Sequence, residues 1–320
     1  MPAPLAVYTD VVGVDPAPGI ALLEEAGFAV RVLATDDPER IAGEAVDAVA
    51  LLIGGYTPVT AELLGALPRL RIVATMSVGF DMVAVDAARA HGIWVSNVPG
   101  AATEEVAVHA FAMGLGLLRG LPFLDRAVRD GRWDDVQEPL LRPSGATLGI
   151  LGLGRIGRRL GQLGQGVYGR VIGHDPVVEA AAWPAGVERV ERDALLAAAD
   201  VVSLHMPLTP GTHHAIDAAA IGRMRPGAFL VNVSRGALVE PRALVAALDD
   251  GRLGGAALDV LEREPPAPDD PLARHPRTLV TPHAAYYSDD AARAYVLDQA
   301  RNVAAWRRDG RPLDVVVAGT

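Results

Sequence analysis

The stretch from Thr147 to Gly157 constrains the fold more than any other part of the chain. It reads Thr-Leu-Gly-Ile-Leu-Gly-Leu-Gly-Arg-Ile-Gly, so a short apolar run leads directly into Gly152, Gly154 and Gly157. This order predicts a strand, a tight turn and the start of a helix. A helix N-terminus offers unpaired N–H groups to a phosphate. Gly152 can form the turn, Gly154 lets the backbone approach the phosphates, and Gly157 lets the helix pack closely on its strand. The stretch therefore predicts a pyrophosphate site.

A glycine triplet alone is a weak signal, because the chain has 34 glycines and an ordinary glycine-rich turn is the competing interpretation. The following residues strengthen it: they predict a helix over Arg155–Gln165, then a strand ending at His174, and Asp175 comes next. An acidic residue at this spacing can accept hydrogen bonds from the ribose hydroxyls of adenosine. Its charge would repel a 2′-phosphate, and Pro176–Val178 supply no arginine, so the pattern favours NAD over NADP.

Length, hydropathy and charge restrict the remaining possibilities. A chain of 320 residues is long for one core, so we expect two domains. No uninterrupted apolar run reaches the length of a membrane span, and the N-terminal residues lack a signal-peptide pattern. The absence of cysteine excludes disulfides and thiolate chemistry and fits the cytoplasmic location that we predict. A net charge of -10 argues against a nucleic-acid partner. No membrane partner and no metal ligand are predicted.

Apolar runs alternate with helix-like segments in two series along the chain, which is typical of α/β domains with parallel sheets. The first series of strands is predicted at Leu5–Tyr8, Ala29–Leu33, Ala48–Ile53, Ile72–Ala74 and Ile93–Val95. The second series is predicted at Thr147–Leu151, Val171–His174, Val201–Leu204, Ala228–Val231, Gly255–Leu258 and Thr278–Val280. The fold class predicted from this alternation is α/β, with two Rossmann-like or flavodoxin-like parallel-sheet domains.

Two helical segments fix the predicted domain boundaries. The apolar stretch Thr103–Leu118, with Glu104 and Glu105 in its first turn, either connects the domains or forms a subunit contact. The segment Asp289–Asp309 is helical in pattern and remote from the glycine turn. We therefore predict a discontinuous substrate domain over residues 1–99 and 289–320, with an NAD-binding Rossmann domain over 100–288 inserted into it.

Three polar residues stand just beyond predicted strand ends, where ligands bind in open α/β sheets. Arg235 follows a buried strand and precedes a glycine, and a guanidinium there can bind a carboxylate and polarise a carbonyl. His283 lies past another strand and is suited to proton transfer near neutral pH. Glu264 could orient that imidazole and favour its protonated form. Each residue alone is also compatible with a surface or loop role, but with a hydride-carrying nucleotide they describe a carbonyl reduction.

At this point the chain resembles the D-isomer-specific 2-hydroxyacid dehydrogenase family, from about residue 50 to residue 310. The motifs that carry the resemblance are Gly152-Leu-Gly-Arg-Ile-Gly157, Ser203-Leu-His-Met-Pro-Leu-Thr209, Asn232-Val-Ser-Arg-Gly236, Gly255-Ala-Ala-Leu-Asp259, Glu262-Arg-Glu-Pro265 and Thr281-Pro-His283. The resemblance implies a substrate-binding and polarising role for Arg235, an acid/base role for His283, and Glu264 as its partner. It implies NAD as cofactor and a small 2-keto or 2-hydroxy acid as substrate.

The resemblance also implies further binding residues. The main chain of Arg155 and Ile156 would lie at the pyrophosphate, and Asp259 would contact the nicotinamide carboxamide. The other cofactor-binding residues that it implies are His205, Pro207, Thr212 and Val233. In the first domain, the main-chain amides of Val78 and Gly79 would hold the substrate carboxylate, with the catalytic cleft between the two domains.

Two matters stay open on the sequence alone. Tyr286 and Tyr287 resemble an aromatic pair in the branch that includes the C-terminal-binding protein corepressors. Tyr286 could line the substrate pocket, or both rings could pack at the domain hinge. The same likeness leaves an NADH-sensing, corepressor-like binding protein as the alternative to an enzyme.

The apolar segment from Val106 to Leu118, together with Trp133, suggests a homodimer.

Overall fold

A computed structural model describes residues 2–11, 13–133 and 140–320. The chain forms two compact units, Met1–Ala102 with Tyr287–Thr320, and Thr103–Tyr286. The unit boundaries fall at 102/103 and 286/287, where the sequence predicted 99/100 and 288/289. The functions assigned to the two predicted domains stay predictions.

The strands are β1 (Leu5–Tyr8), β2 (Ala29–Val32), β3 (Ala48–Ile53), β4 (Ile72–Thr75), β5 (Trp94–Ser96), β6 (Thr147–Leu151), β7 (Arg170–His174), β8 (Glu188–Arg189), β9 (Val201–Leu204), β10 (Ala228–Asn232), β11 (Leu253–Leu258) and β12 (Thr278–Val280). The α-helices are α1 (Ala17–Glu25), α2 (Pro38–Glu44), α3 (Ala61–Ala66), α4 (Val85–Ala90), α5 (Thr103–Leu118), α6 (Leu121–Arg129), α7 (Arg155–Gly164), α8 (Arg192–Ala198), α9 (Ala218–Arg223), α10 (Pro241–Asp249), α11 (Pro271–Arg274) and α12 (Asp289–Asp309).

The first unit is built on a parallel sheet of five strands in the order β2-β1-β3-β4-β5. The central strands β3 and β4 are almost entirely buried, as their continuous apolar sequences require, because helices cover both faces. Strand β2 lies at the sheet edge and is largely exposed. An apolar run therefore marks a strand here without marking its burial.

Helix α12 completes the first unit from the far end of the sequence. Ser288 caps its N-terminus, with the hydroxyl accepting the N–H of Ala291, and Gly310 caps its C-terminus with φ 73°. Its buried Gln299 donates from Nε2 to the carbonyls of Ile53 and Ala74, at 2.9 and 2.8 Å. These hydrogen bonds connect the helix to the ends of two neighbouring strands.

The second unit is built on a parallel sheet of seven strands in the order β12-β11-β10-β9-β6-β7-β8. Strands β9, β10 and β11 are buried along their whole length. Helices α8, α9 and α10 contribute apolar side chains to the core on one face of this sheet. The predicted fold class of two parallel-sheet α/β domains is confirmed. The sequence did not predict β8, which is two exposed polar residues long and pairs with β7 at the sheet edge.

Among the described residues, no single helix is both long and apolar enough to cross a membrane. Helices α5 and α6 reach that length and composition only as a pair, and they are bent by 61° at the break between them.

Replacing Gln299 with leucine should lower the free energy of unfolding by about 1–3 kcal/mol, because two buried carbonyls lose a donor. Urea denaturation of the variant measures this loss. Asp298→Ala is the matched control on the same helix, since Asp298 forms an ion pair with the exposed Arg301, and surface pairs contribute little. Equal stability of Gln299→Leu and wild type would contradict the role given to this side chain.

Candidate active site

The residues predicted to bind ligand in the second unit lie along one edge of its sheet. They follow successive strands: Asp175 follows β7, Gly152 follows β6, His205 follows β9, Val233 and Arg235 follow β10, Asp259 follows β11, and His283 follows β12. Because all neighbouring strands are parallel, their carboxyl ends share this edge. The strand order reverses direction between β6 and β9, and open α/β sheets bind ligands at such a point.

The glycine turn lies at this reversal point, and its geometry requires glycine. Gly152 has φ 96°, and a Cβ atom there would lie 2.4 Å from the carbonyl oxygen of His205. A Cβ atom on Gly157 would lie 2.0 Å from the carbonyl oxygen of Gly152. The turn between β6 and α7 can therefore close only without these two side chains.

The same turn fits a pyrophosphate. Gly154 is the N-cap of α7, and within the described part of the chain this helix end has no side-chain cap hydrogen bond. A Cβ atom on Gly154 would meet nothing within 4 Å, so open space adjoins the first turn, which begins with Arg155 and Ile156. Uncapped N–H groups beside open space, at the positive end of a helix dipole, suit an anionic ligand.

Asp175 is held at the end of β7 by three main-chain N–H groups. Its Oδ2 accepts from Leu153 at 2.7 Å, and its Oδ1 accepts from Val177 and Val178 at 2.8 and 3.0 Å. Partial burial raises the pKa of Asp175, but these three donors and the charge of His174 outweigh it, so the pKa lies below its ordinary value. A carboxylate oxygen can accept two hydrogen bonds, so Oδ2 keeps one acceptor site for a ribose hydroxyl.

His205 lies against the glycine turn at the start of the loop after β9. Its Nε2 is 2.8 Å from the hydroxyl of Ser203, and its Nδ1 is buried with no hydrogen-bond partner in the described part of the chain. Burial lowers the pKa of His205 to about 3, so the ring is neutral at physiological pH. A buried nitrogen without a partner at this position is compatible with a ligand group that would complete its hydrogen bonding.

The remaining predicted cofactor residues of this loop form a compact structure. The hydroxyl of Thr212 donates to the carbonyl of Pro207 at 2.7 Å and accepts the N–H of Thr209 at 2.8 Å. Val233 is buried directly after β10. Loop 207–212 is therefore shaped by its own hydrogen bonds, and its predicted contact with the cofactor stays a prediction.

Arg235 is placed by a buried asparagine that the sequence did not single out. Asn232 is 1% exposed; its Nδ2 donates to the carbonyl of Arg235 at 2.9 Å, and its Oδ1 accepts the N–H of Ser234 at 3.1 Å. These bonds turn the chain sharply at the end of β10. The signal was available, because an amide inside an apolar strand needs hydrogen-bond partners.

Glu264 and His283 are in direct polar contact. Glu264 Oε2 lies 2.6 Å from His283 Nδ1, and Glu264 Oε1 accepts the N–H of Leu261 at 2.9 Å. Burial raises the pKa of Glu264, but the hydrogen bond and charge of His283, the N–H of Leu261 and the charge of Arg235 together lower it below its ordinary value. The carboxylate therefore stays ionised at pH values below the ordinary pKa of a glutamate side chain, and it accepts a hydrogen bond from Nδ1.

The three candidate catalytic residues thus form one cluster of interacting side chains. Glu264 touches His283 directly, and the charge of Arg235 acts on Glu264. Glu264 precedes a cis-proline, and His283 has φ 51°. Residues from three different strand ends form this group, as expected for the edge of a parallel sheet.

Asp259 is 2% exposed and lies beneath the loop that carries His283. Its Oδ1 accepts the hydroxyl of Thr281 at 2.5 Å and the N–H of Ala284 at 2.9 Å, and its Oδ2 accepts the N–H of Ala285 at 2.9 Å. Its carbonyl accepts the N–H of His283 at 2.8 Å. The carboxylate therefore holds loop 281–285, and its predicted contact with nicotinamide stays a prediction.

In the first unit, Val78 and Gly79 lie in the loop that follows β4. Asn97 Nδ2 donates to the carbonyl of Val78 at 2.7 Å, and the hydroxyl of Ser77 donates to the carbonyl of Gly79 at 2.6 Å. The carbonyls of this loop are thereby fixed by the protein. The role of its amides in substrate binding stays a prediction.

Tyr286 is 36% exposed, and its ring meets that of His283 edge to face at a centroid distance of 6.2 Å. This contact places Tyr286 beside the candidate acid/base within the second unit. The role of Tyr286 in lining a substrate pocket stays a prediction.

A second group of titratable side chains lies on loop 209–214 and after β11. Ligand atoms of His213, His214 and Glu262 lie within 4.8 Å of one another, and His214 Nε2 is 3.1 Å from Glu262 Oε1. The two imidazoles stack at 3.9 Å. His213 and Glu262 are exposed, and none of the three takes part in the network of His283 described above. The prediction that the chain uses no metal stays a prediction.

Comparison with known proteins assigns the chain to a family. Residues 111–285 match the NAD binding domain of the D-isomer specific 2-hydroxyacid dehydrogenases. The chain is 40% identical over 264 residues to a glyoxylate reductase of Korarchaeum cryptofilum, with 81% of this chain and 80% of that protein covered. The chain therefore belongs to the D-isomer specific 2-hydroxyacid dehydrogenase family, and its cofactor is NAD.

Solved structures agree over nearly the whole chain. A glyoxylate reductase from Paecilomyes thermophila superposes with a TM-score of 0.90 at 28% identity, covering 99% of each chain. A D-lactate dehydrogenase from Aquifex aeolicus, complexed with NAD and lactic acid, gives a TM-score of 0.88 at 30% identity, covering 98% of this chain and 100% of that one. The chain spans about half the length of the D-3-phosphoglycerate dehydrogenase of Archaeoglobus fulgidus, to which it is 34% identical.

Two alanine substitutions should separate the structural and ligand-binding parts of the glycine turn. Gly157→Ala places a methyl group 2.0 Å from a carbonyl oxygen and should lower the free energy of unfolding by about 2–4 kcal/mol. Gly154→Ala meets open space and should change stability by less than about 1 kcal/mol, yet raise the Kd for NADH about tenfold or more. Urea denaturation and NADH fluorescence titration measure the two effects. Unchanged NADH affinity in Gly154→Ala would contradict the proposed phosphate approach.

His205 should make the free energy of unfolding depend on pH. The folded chain keeps His205 neutral down to a pKa of about 3, whereas the unfolded chain protonates it near 6.5. The unfolded state then binds more protons between these values, so wild-type stability falls as pH drops below about 6.5, by up to about 1.4 kcal/mol per pH unit.

His205→Gln removes this titration, so its stability relative to wild type should rise steadily from about pH 6.5 to pH 5 and stay constant above about pH 7.5. Urea denaturation of the two cofactor-free proteins across this range measures the difference. Parallel stability curves would show that His205 titrates alike in both states.

Proposed function

We propose that the chain is an NAD(H)-dependent oxidoreductase that interconverts a small 2-keto acid and the corresponding D-2-hydroxy acid. The observation that carries the proposal is the contact of 2.6 Å between Glu264 Oε2 and His283 Nδ1, at the sheet edge that also carries the glycine turn. In the proposal, His283 is the acid/base, Glu264 orients it, and Arg235 binds and polarises the substrate.

The pairing of Glu264 with His283 fixes the proton on Nδ1 of the imidazole. An ionised carboxylate can only accept, so Nδ1 carries a proton and donates it to Glu264. This leaves Nε2 as the atom that exchanges a proton with substrate. The charged imidazolium gives its Nε2 proton to the oxygen of a reduced carbonyl, and neutral Nε2 accepts the hydroxyl proton in the reverse direction. Glu264 holds the Nδ1 proton, so the ring keeps one orientation while Nε2 exchanges its proton.

Arg235 supplies the positive charge that the reaction needs. A guanidinium can hold a carboxylate through two parallel hydrogen bonds and stabilise negative charge that develops on an adjacent carbonyl oxygen. Asn232 fixes the carbonyl of Arg235 and hence the turn from which the side chain extends. When bound, NADH supplies the hydride for the carbonyl carbon.

The cofactor-binding roles belong to the same proposal. The main-chain N–H groups of Arg155 and Ile156 bind the pyrophosphate, and Asp175 Oδ2 accepts a ribose hydroxyl. The lowered pKa of Asp175 supports NAD over NADP, because an ionised carboxylate opposes a 2′-phosphate. No observation favours the corepressor-like alternative. The homodimer and the cytoplasmic location stay predictions.

A panel of 2-keto acids tests the proposal. Glyoxylate, pyruvate, hydroxypyruvate and bulkier analogues are mixed with the protein and NADH or NADPH, and cofactor oxidation is followed by absorbance. We expect turnover of at least one acid, with higher kcat/KM for NADH than for NADPH. Bound NADH without oxidation across the panel would refute the activity.

His283→Ala should lower kcat at least about a hundredfold near neutral pH, because the proton donor is lost. The Kd for NADH should stay within about threefold of wild type, since His283 is not assigned to the pyrophosphate or ribose. His91→Ala is the control, because His91 is exposed and lies in the first unit. Turnover by His283→Ala within tenfold of wild type would exclude His283 as the acid/base.

A further inference from the structure

The hydrogen bonds beneath His283 extend to a histidine on helix α5, far from His283 in the sequence. His109 Nε2 lies 3.1 Å from the hydroxyl of Thr281 and 3.8 Å from Asp259 Oδ1. The side chain of His109 is 28% exposed, and that of Asp259 is 1% exposed. An imidazole thus reaches the inner end of the loop that carries the candidate acid/base.

A count of protons fixes the direction of this chain of hydrogen bonds. A threonine hydroxyl has one proton, and that of Thr281 is donated to Asp259 Oδ1 at 2.5 Å. Its oxygen must therefore accept from its other close polar neighbour, so His109 carries its proton on Nε2. The order is His109 Nε2–H to Thr281 Oγ1–H to Asp259 Oδ1, and such chains strengthen each member.

The same count shows what the chain leaves free. Asp259 Oδ1 accepts two hydrogen bonds, from Thr281 and from the N–H of Ala284, which fills its acceptor sites. Oδ2 accepts one, from the N–H of Ala285. One acceptor site of Oδ2 thus remains, and the orientation of the carboxylate decides where it is directed.

We infer that His109 is a positioning residue of the proposed reaction. Through the hydroxyl of Thr281 it fixes the orientation of the Asp259 carboxylate, and thereby the conformation of loop 281–285 that holds His283 at φ 51°. His109 touches no reacting atom in this account. The inference rests on the proposed function for its kinetic consequence, but the ordering of the loop can be measured without turnover.

Four variants test the inference. His109→Leu and Thr281→Val remove the donor and the bridging hydroxyl, whereas His109→Gln and Thr281→Ser retain a donor and a hydroxyl. We expect the first two each to lower kcat about tenfold with KM for the keto acid within about twofold, and the second two to keep kcat within about threefold. The kcat of the double variant, His109→Leu with Thr281→Val, should lie within about threefold of the kcat of the slower single variant. Val108→Ala, an exposed neighbour on α5, should match wild type.

Two kinetic results would overturn the inference. One is a kcat of His109→Leu within twofold of wild type. The other is a double variant whose fold-loss in kcat is the product of the two single losses. Two residues that act through one chain of hydrogen bonds should not have independent effects on kcat.

Amide hydrogen exchange provides the readout that does not depend on activity. The amides of Ala284 and Ala285 should exchange faster in His109→Leu and Thr281→Val than in wild type, but not in His109→Gln or Thr281→Ser. The amide of Val202, in the buried strand β9, should be unchanged and so controls for loss of the fold. If the variants show this exchange pattern but the wild-type protein turns over no keto acid, the proposed function is refuted and the positioning role is not. Unchanged exchange at Ala284 and Ala285 in His109→Leu would refute the positioning role.

Discussion

A buried carboxylate at the end of β11 determines the geometry on which the proposed chemistry depends. Removing a carboxylate from water is costly unless N–H and O–H donors surround it. Asp259 finds these donors in Thr281, Ala284 and Ala285, all in one short loop. The loop therefore closes around the carboxylate, and His283 is held within that closure. The hydrogen bonds that the buried Asp259 carboxylate requires thus determine the position of the His283 imidazole.

Close approaches between neighbouring strand ends provide the second constraint. A Cβ atom on Gly152 would collide with the main chain of His205, and one on Gly236 would lie 1.9 Å from the carbonyl carbon of Leu261. Glycine at these two positions lets the loops after β6 and β9, and after β10 and β11, touch through their backbones. The side chains that follow β10, β11 and β12 can then meet, and Glu264 comes within reach of both His283 and the charge of Arg235.

The sequence predicted those features that repeat locally or follow from parallel topology. The bounds of β1, β6, α5 and α12 were predicted to the residue, because apolar runs and helix caps mark them. The pairing of Glu264 with His283 was expected since both follow neighbouring strands. The hydrogen bond of His109 was not predictable, because it joins residues 172 positions apart through side-chain geometry alone. Strand β8 was missed because two exposed polar residues carry no periodicity.

The contribution of α12 to the first unit affects the order in which the chain can fold. Residues 103–286 of the second unit are contiguous, so all its contacts are available once they have left the ribosome. The first unit begins earlier in the chain but lacks Gln299 and the rest of α12 until synthesis has passed residue 309. The part of the protein made first therefore completes its folding last, and it must remain competent to accept α12 while the second unit folds.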